Sequence, residues 1–228
     1  MRSALMNLAG GVALAVAASM AVSGCTQTAT STSAAALARP DRSNYNYTGE
    51  VYLLRGLANV FSTGLDEINE KFRRRGVNSR VDNHSIWQVW ADEIVAREQR
   101  GAVSHPVIIM GHSLGGNASV QMARYLGDRG VKVAYVVAFD PTITTEPGPN
   151  VDEVVNYFLP NGRKGKDHNI VVEGPGFTGT LVNYDVTPMA DINHFNVEKS
   201  PELQVRVITK AISLMKPRST GLEPGANR

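Results

Sequence analysis

Cysteine is almost missing from these 228 residues: Cys25 is the only one, so no intramolecular disulfide can staple the fold in any compartment. No block of like charge stands out either. Lys and Arg number 23 against 21 Asp and Glu, a net charge of +2. The densest cluster, Arg73-Arg74-Arg75, falls at the end of a helical pattern, where cations favour the C-terminal dipole. Nucleic acid is therefore not an expected partner. The His, Asp and Glu residues lack metal-ligand spacing such as H-E-x-x-H, and there is no dinucleotide glycine fingerprint, so neither metal nor cofactor is expected. The alanine-rich apolar run over residues 8–22 is broken by Gly10-Gly11 and falls short of the roughly 20 residues of a membrane span. No internal repeat is present. The whole chain is 43% apolar and, with its first part set aside, still long enough for one globular domain with one core.

That short apolar run follows Arg2 and a free amino terminus, and reads as the core of an export signal. It ends in Val22-Ser23-Gly24-Cys25, which resembles the lipobox of bacterial lipoproteins. The resemblance implies cleavage before Cys25 and diacylglycerylation of its thiol. The mature protein is then an exported, membrane-anchored lipoprotein. Thr26, rather than an aspartate, follows the cysteine, which points to the outer membrane in a Gram-negative cell. The competing reading is an ordinary secretory signal cleaved near Ala18 or Ser23. Residues 26 to about 47 are small, polar and aperiodic, the composition of a flexible tether. The expected organisation is a signal over 1–24, a tether over 25–48, a globular domain over 49–217 and a frayed tail over 218–228.

Within the domain, short apolar runs alternate with amphipathic patterns. Strands are predicted over 51–54, 77–81, 107–110, 133–139 and 154–159, with weaker candidates at 169–173 and 179–184. Helices are predicted after Ser62 or Thr63 (Leu65, Ile68, Phe72), from a Ser85-x-x-Gln88 capping box (Ile86, Val89, Trp90, Ile94), from near Gly115 (Ala118, Met122, Leu126), and from Ser200-Pro201 (Leu203, Val207, Ile208, Ala211, Met215). The strands are apolar throughout rather than alternating, so both sheet faces are covered. That defines an α/β protein with a mainly parallel sheet.

The third strand runs into Gly111-His112-Ser113-Leu114-Gly115-Gly116, a G-x-S-x-G sequence between a strand and a helix. This pattern describes a sharp strand-to-helix turn with the serine at its apex, and the flanking glycines avoid steric clash where the chain passes close to itself. A serine hydroxyl needs a neighbouring base. Of five histidines, His112 sits on the turn and reads as packed or capping. His105 lies at the far end of its strand, and His84 in a turn. His194 lies in the loop before the last helix, where the order nucleophile, acid, histidine places the base. Asp140 ends the strand after the nucleophile's helix and is the expected acid, with Asp167 and Asp185 as alternatives. The backbone N–H groups of Leu114 and Leu57 are the expected oxyanion donors.

Taken together, GHSLGG, the Arg55-Gly56-Leu57 turn, Asp140 and His194 resemble the α/β-hydrolase superfamily, in its lipase, esterase and thioesterase branches, over about residues 51–215. The resemblance implies an α/β-hydrolase fold and cleavage of a small-molecule or lipid acyl ester or thioester without a cofactor. Arg55 departs from the histidine common at the oxyanion turn, and residues 141–150 are too short and proline-rich for a large lid. An open site is expected. The alternative is a non-catalytic, membrane-anchored lipoprotein that uses the fold as a binding scaffold. Oligomeric state is left open by the sequence.

Overall fold

Six strands pair in parallel throughout, in the order β2-β1-β3-β4-β5-β6. They are β1 (Glu50–Arg55), β2 (Ser79–Asn83), β3 (Val107–His112), β4 (Val133–Phe139), β5 (Glu153–Phe158) and β6 (Thr180–Asp185). Among the described residues four α-helices connect or follow them: α1 (Gly64–Arg74), α2 (Trp87–Glu98), α3 (Leu114–Gly127) and α4 (Pro201–Ser213). The structure is a computed structural model and describes residues 45–57, 62–161 and 167–218. The export signal and Cys25 lie outside the described residues.

Strand periodicity divides the core in two, because successive side chains leave a strand on opposite faces. Val51, Leu53, Ile108, Met110, Tyr135 and Val137 pack under α1 and α4, against Leu65, Phe72, Leu203 and Val207. Tyr52, Leu54, Val107, Ile109, Val136 and Ala138 pack under α2 and α3, against Trp90, Ile94, Met122 and Leu126. Burial on both faces is why β1, β3 and β4 read as unbroken apolar runs. β6 is one of the two edge strands and most of its residues are exposed, which explains its weaker pattern.

Chain segments flanking the sheet are tied to it. Asn46 N–H donates to Gly76 O at 2.7 Å, Thr48 N–H to Lys216 O at 2.8 Å, and Arg218 N–H to Asn46 O at 2.7 Å. Two helix starts differ from their sequence signals. Ser85 caps nothing: its own N–H donates to Asn83 Oδ1 at 3.0 Å and opens a one-turn 3-10 helix, His84–Ile86, that runs into α2. This rotates Val89 out to solvent. Neither Ser62 nor Thr63 caps α1 through its side chain, because the Ser62 hydroxyl is taken by Gly56 and His112. Residues 169–173 form no strand; Val171 makes a single bridge to Thr145. The start of α4 is as expected, with Pro201 in its first turn and Ser200 accepting the Leu203 N–H.

One carboxyl inside this core is poorly satisfied. Glu198 sits in a 3-10 turn (Val197–Lys199) wedged between α1 and α4, with no solvent exposure, and neither oxygen makes a well-formed hydrogen bond among the described residues. Burial pushes its pKa up to about 7, with the Glu198 and Gly64 backbone N–H groups and Lys199 opposing. A carboxyl whose folded pKa is raised costs nothing below its unfolded value, near 4.5, and destabilises increasingly as pH climbs through 7. Glu198→Gln, neutral at every pH, is therefore expected to match wild type near pH 4.5. By pH 8 it should gain on the order of 1–3 kcal/mol. Chemical denaturation of both proteins across that range checks it; a variant that loses stability at pH 8 would refute the burial argument.

Candidate active site

Backbone crowding fixes the turn after β3. A Cβ on Gly111 would overlap the Gly115 carbonyl, and one on Gly115 would overlap the Leu54 carbonyl of β1. Only glycine allows α3 to start this close to two neighbouring segments. Ser113 between them adopts φ 58° and ψ −122°, a left-handed-side conformation rare for a side-chain-bearing residue. Its N–H is fastened across to Phe139 O at 2.9 Å, so the turn is pinned to the end of β4.

The residue directly after β4 is Asp140, buried and itself at φ 44°. Its N–H donates to Tyr157 O on β5 at 2.8 Å. One carboxylate oxygen accepts from Leu159 N–H at 3.0 Å and from Asn169 Nδ2 at 2.7 Å. The other lies 2.6 Å from His194 Nδ1. The opposite nitrogen, His194 Nε2, lies 3.1 Å from Ser113 Oγ. Three residues separated by as many as 81 positions in the chain thus form one line of hydrogen bonds at the C-terminal edge of the sheet.

Protonation states follow from the partners. A carboxylate accepts, so Nδ1 of His194 holds the ring proton in the neutral form, leaving Nε2 to accept from the serine. The bond to Asp140 raises the His194 pKa above its ordinary 6.5; burial works against this, and the charges of Asp140 and Glu198 add to it. His112 is the reverse. It is buried, with Nδ1 2.8 Å from Ser62 Oγ and Nε2 2.7 Å from the His194 carbonyl, and burial lowers its pKa to about 4.

Leu114 and Leu57 lie on either side of Ser113 in different segments, one at a helix start and one in the turn after β1. Leu114 opens α3, so its N–H has no acceptor within the helix. Gly56 packs against Ser113, since a Cβ there would come within 3.0 Å of Ser113 Cβ. Leu57 follows with an exposed side chain, at the margin of the described residues. The Arg55 guanidinium is held by the Asp66 carboxylate of α1. Of the alternative acids, Asp185 accepts from Thr187 within its own turn.

Sequence reading missed several contributors. Asn169, which also donates to Leu159 O at 2.7 Å, lay in a segment read as a weak strand. Asn117, in the first turn of α3, accepts from Thr142 N–H at 2.9 Å and donates to Thr142 Oγ1 at 2.7 Å, holding the loop after Asp140. Neither has a sequence signal, because an asparagine's role here depends on which loop the fold lays beside it. Residues 141–150 carry no helix, and the His194 side chain is about one third exposed at 35%. A hollow of about 450 Å³ opens beside Asp140 and His194, lined also by Thr142, Asn161 and Asn193.

No protein-family model matches the chain, and no curated protein does. Several solved structures do. A Xanthomonas campestris pv. campestris protein assigned to the α/β superfamily of hydrolases is 13% identical, over 72% of this chain and 98% of its own, with a TM-score of 0.42. Est1E from Butyrivibrio proteoclasticus is 12% identical over 75% of this chain and 90% of its own, with a TM-score of 0.41. The NocB thioesterase domain from the nocardicin cluster is 12% identical over 73% and 98%, also at 0.41. Such likeness concerns the fold and not the chemistry, which rests on the distances above. Six parallel strands in this order, helices on both faces and a strand–serine–helix turn at the third strand make this an α/β-hydrolase fold.

Proposed function

We propose that the protein is a serine hydrolase that cleaves carboxylic esters or thioesters through a covalent acyl-enzyme. The observation that carries this reading is the unbroken line from Ser113 Oγ through His194 to Asp140, at 3.1 and 2.6 Å. Ser113 Oγ attacks the acyl carbonyl carbon while its proton passes to His194 Nε2. Asp140 stabilises the imidazolium so formed. The carbonyl oxygen, now negative, takes hydrogen bonds from Leu114 N–H and Leu57 N–H at the N-terminus of α3. The leaving group departs with the proton from Nε2. Water then gives a proton to Nε2, its oxygen attacks the acyl carbon, and Ser113 leaves reprotonated.

The absence of a helical segment over residues 141–150 supports a site open to substrate. Three exposed apolar side chains adjoin it. Leu57 follows the glycine packed on Ser113, the Phe195 ring meets His194 at 5.4 Å between centroids, and Ile143 lies on the loop held by Asn117. Such a rim suits an acyl chain better than a charged substrate. In the same reading the enzyme is exported and anchored to a membrane through a lipidated Cys25.

Four outcomes are expected. A fluorophosphonate probe should label wild type covalently and leave Ser113→Ala unlabelled; a folded but unlabelled wild type would mean a scaffold rather than an enzyme. Asp140→Asn should fold and lose about 10³–10⁴ in turnover. Activity requires neutral His194, so the wild-type acid limb should lie above pH 6.5, and in Asp140→Asn it should move down, as kcat/KM against pH will report. Mass spectrometry of the mature amino terminus should find Cys25 diacylglycerylated, and an unmodified, later start would remove the anchor.

A further inference from the structure

The mechanism above uses His112 for nothing, yet both of its ring nitrogens are engaged inside the protein. Nε2 lies 2.7 Å from the His194 carbonyl oxygen. A carbonyl only accepts, so Nε2 carries the proton. Nδ1, 2.8 Å from Ser62 Oγ, is then the acceptor of the Ser62 hydroxyl proton in a ring that burial keeps neutral. The Ser62 oxygen in turn accepts the Gly56 N–H at 2.9 Å. The bonds run in one direction: Gly56 to Ser62, Ser62 to His112, His112 to His194. One end of this series is backbone of the oxyanion turn, and the other is backbone of the catalytic base. Ser113 follows His112 directly in the chain, between the two.

We propose that His112 is a positioning residue which, together with Ser62, holds the Gly56-Leu57 turn and the His194 loop at a fixed separation across Ser113. Its consequence for turnover rests on the serine-hydrolase reading, whereas the bridge itself stands on three hydrogen bonds. The tautomer matters. A charged His112 would donate from both nitrogens, and the Ser62 hydroxyl would have to turn away. The groups facing the ring are the His194 imidazole, 5.1 Å away between centroids, the Glu198 carboxyl, 3.8 Å from Nε2, and the charges of Asp140 and Lys199. Desolvation outweighs these and keeps the bridge intact at neutral pH.

Two NMR measurements on the full chain test this without needing any activity. In wild type at pH 7, the ring-nitrogen shifts of His112 should report a neutral imidazole protonated at Nε2; an Nδ1-protonated or charged ring overturns the proposal. The second measurement uses variants that separate the two ends, since a glutamine amide reaches toward the place of Nε2 and an asparagine amide toward that of Nδ1. In His112→Asn the base loop loses its donor, and the His194 pKa should fall back toward about 6.5, with turnover down about 10–100-fold. His112→Gln should keep the His194 titration near that of wild type. A folded His112→Asn protein whose His194 titrates as in wild type overturns the bridge. Failure of phosphonate labelling in wild type would remove the enzyme reading alone, and the titrations would still decide this one.

Discussion

The arrangement of Ser113, His194 and Asp140 depends on the close approach of α3 to the ends of β1 and β3. With glycine at 111 and 115 the turn can press against the Gly115 and Leu54 carbonyls; with any side chain there it cannot. That contact is between backbones, so no rotamer change relieves it. The positive φ of Ser113 is what the contact costs, and the bond from Ser113 N–H to Phe139 O holds it in place. From there the strand ends are laced in sequence. β3 is tied to β4 through Ser113 and Phe139, and β4 to β5 through Asp140 and Tyr157. Asp140 is therefore located by the same register that fixes Ser113.

Two buried carboxyls show how partners, rather than depth, decide a group's use. Asp140 meets three donors: Leu159 N–H, the Asn169 amide and His194 Nδ1. Glu198 lies a few residues beyond His194, equally buried, with no well-formed bond and a raised pKa. The first can face an imidazolium; the second is a carboxyl the fold tolerates at a cost to stability. The histidines divide in the same way. His194 is raised by Asp140 and His112 lowered by burial, so one ring is suited to take a proton and the other to hold its tautomer.

Most of the architecture was legible in the chain. The strands at β1, β3 and β4 read as continuous apolar runs because helices cover both faces, and α1, α3 and α4 carried clear apolar stripes with glycine or proline punctuation. Legibility failed where side chains had other employment. Ser62 and Ser85 look like helix caps, but one hydroxyl is claimed by Gly56 and His112, and Asn83 displaces the other. Residues 169–173 look like a strand, yet Asn169 is placed against Asp140 and its backbone carbonyl accepts from Asn156 at 2.9 Å. A local pattern describes the backbone's preference and not the distant group that outbids it.

The turn at Ser113 and the alternation of strand and helix are readable from residues alone, since both follow from local sterics and periodicity. The order of residues along the chain also singled out His194 and Asp140 as partners for Ser113. Only the tertiary structure decided that His194, Asp140 and Ser113 meet within bonding distance, and that His112, Ser62 and Asn169 stand behind them. Hydrogen bonds between residues 29 to 82 positions apart depend on sheet register and loop packing, which no short stretch of sequence encodes.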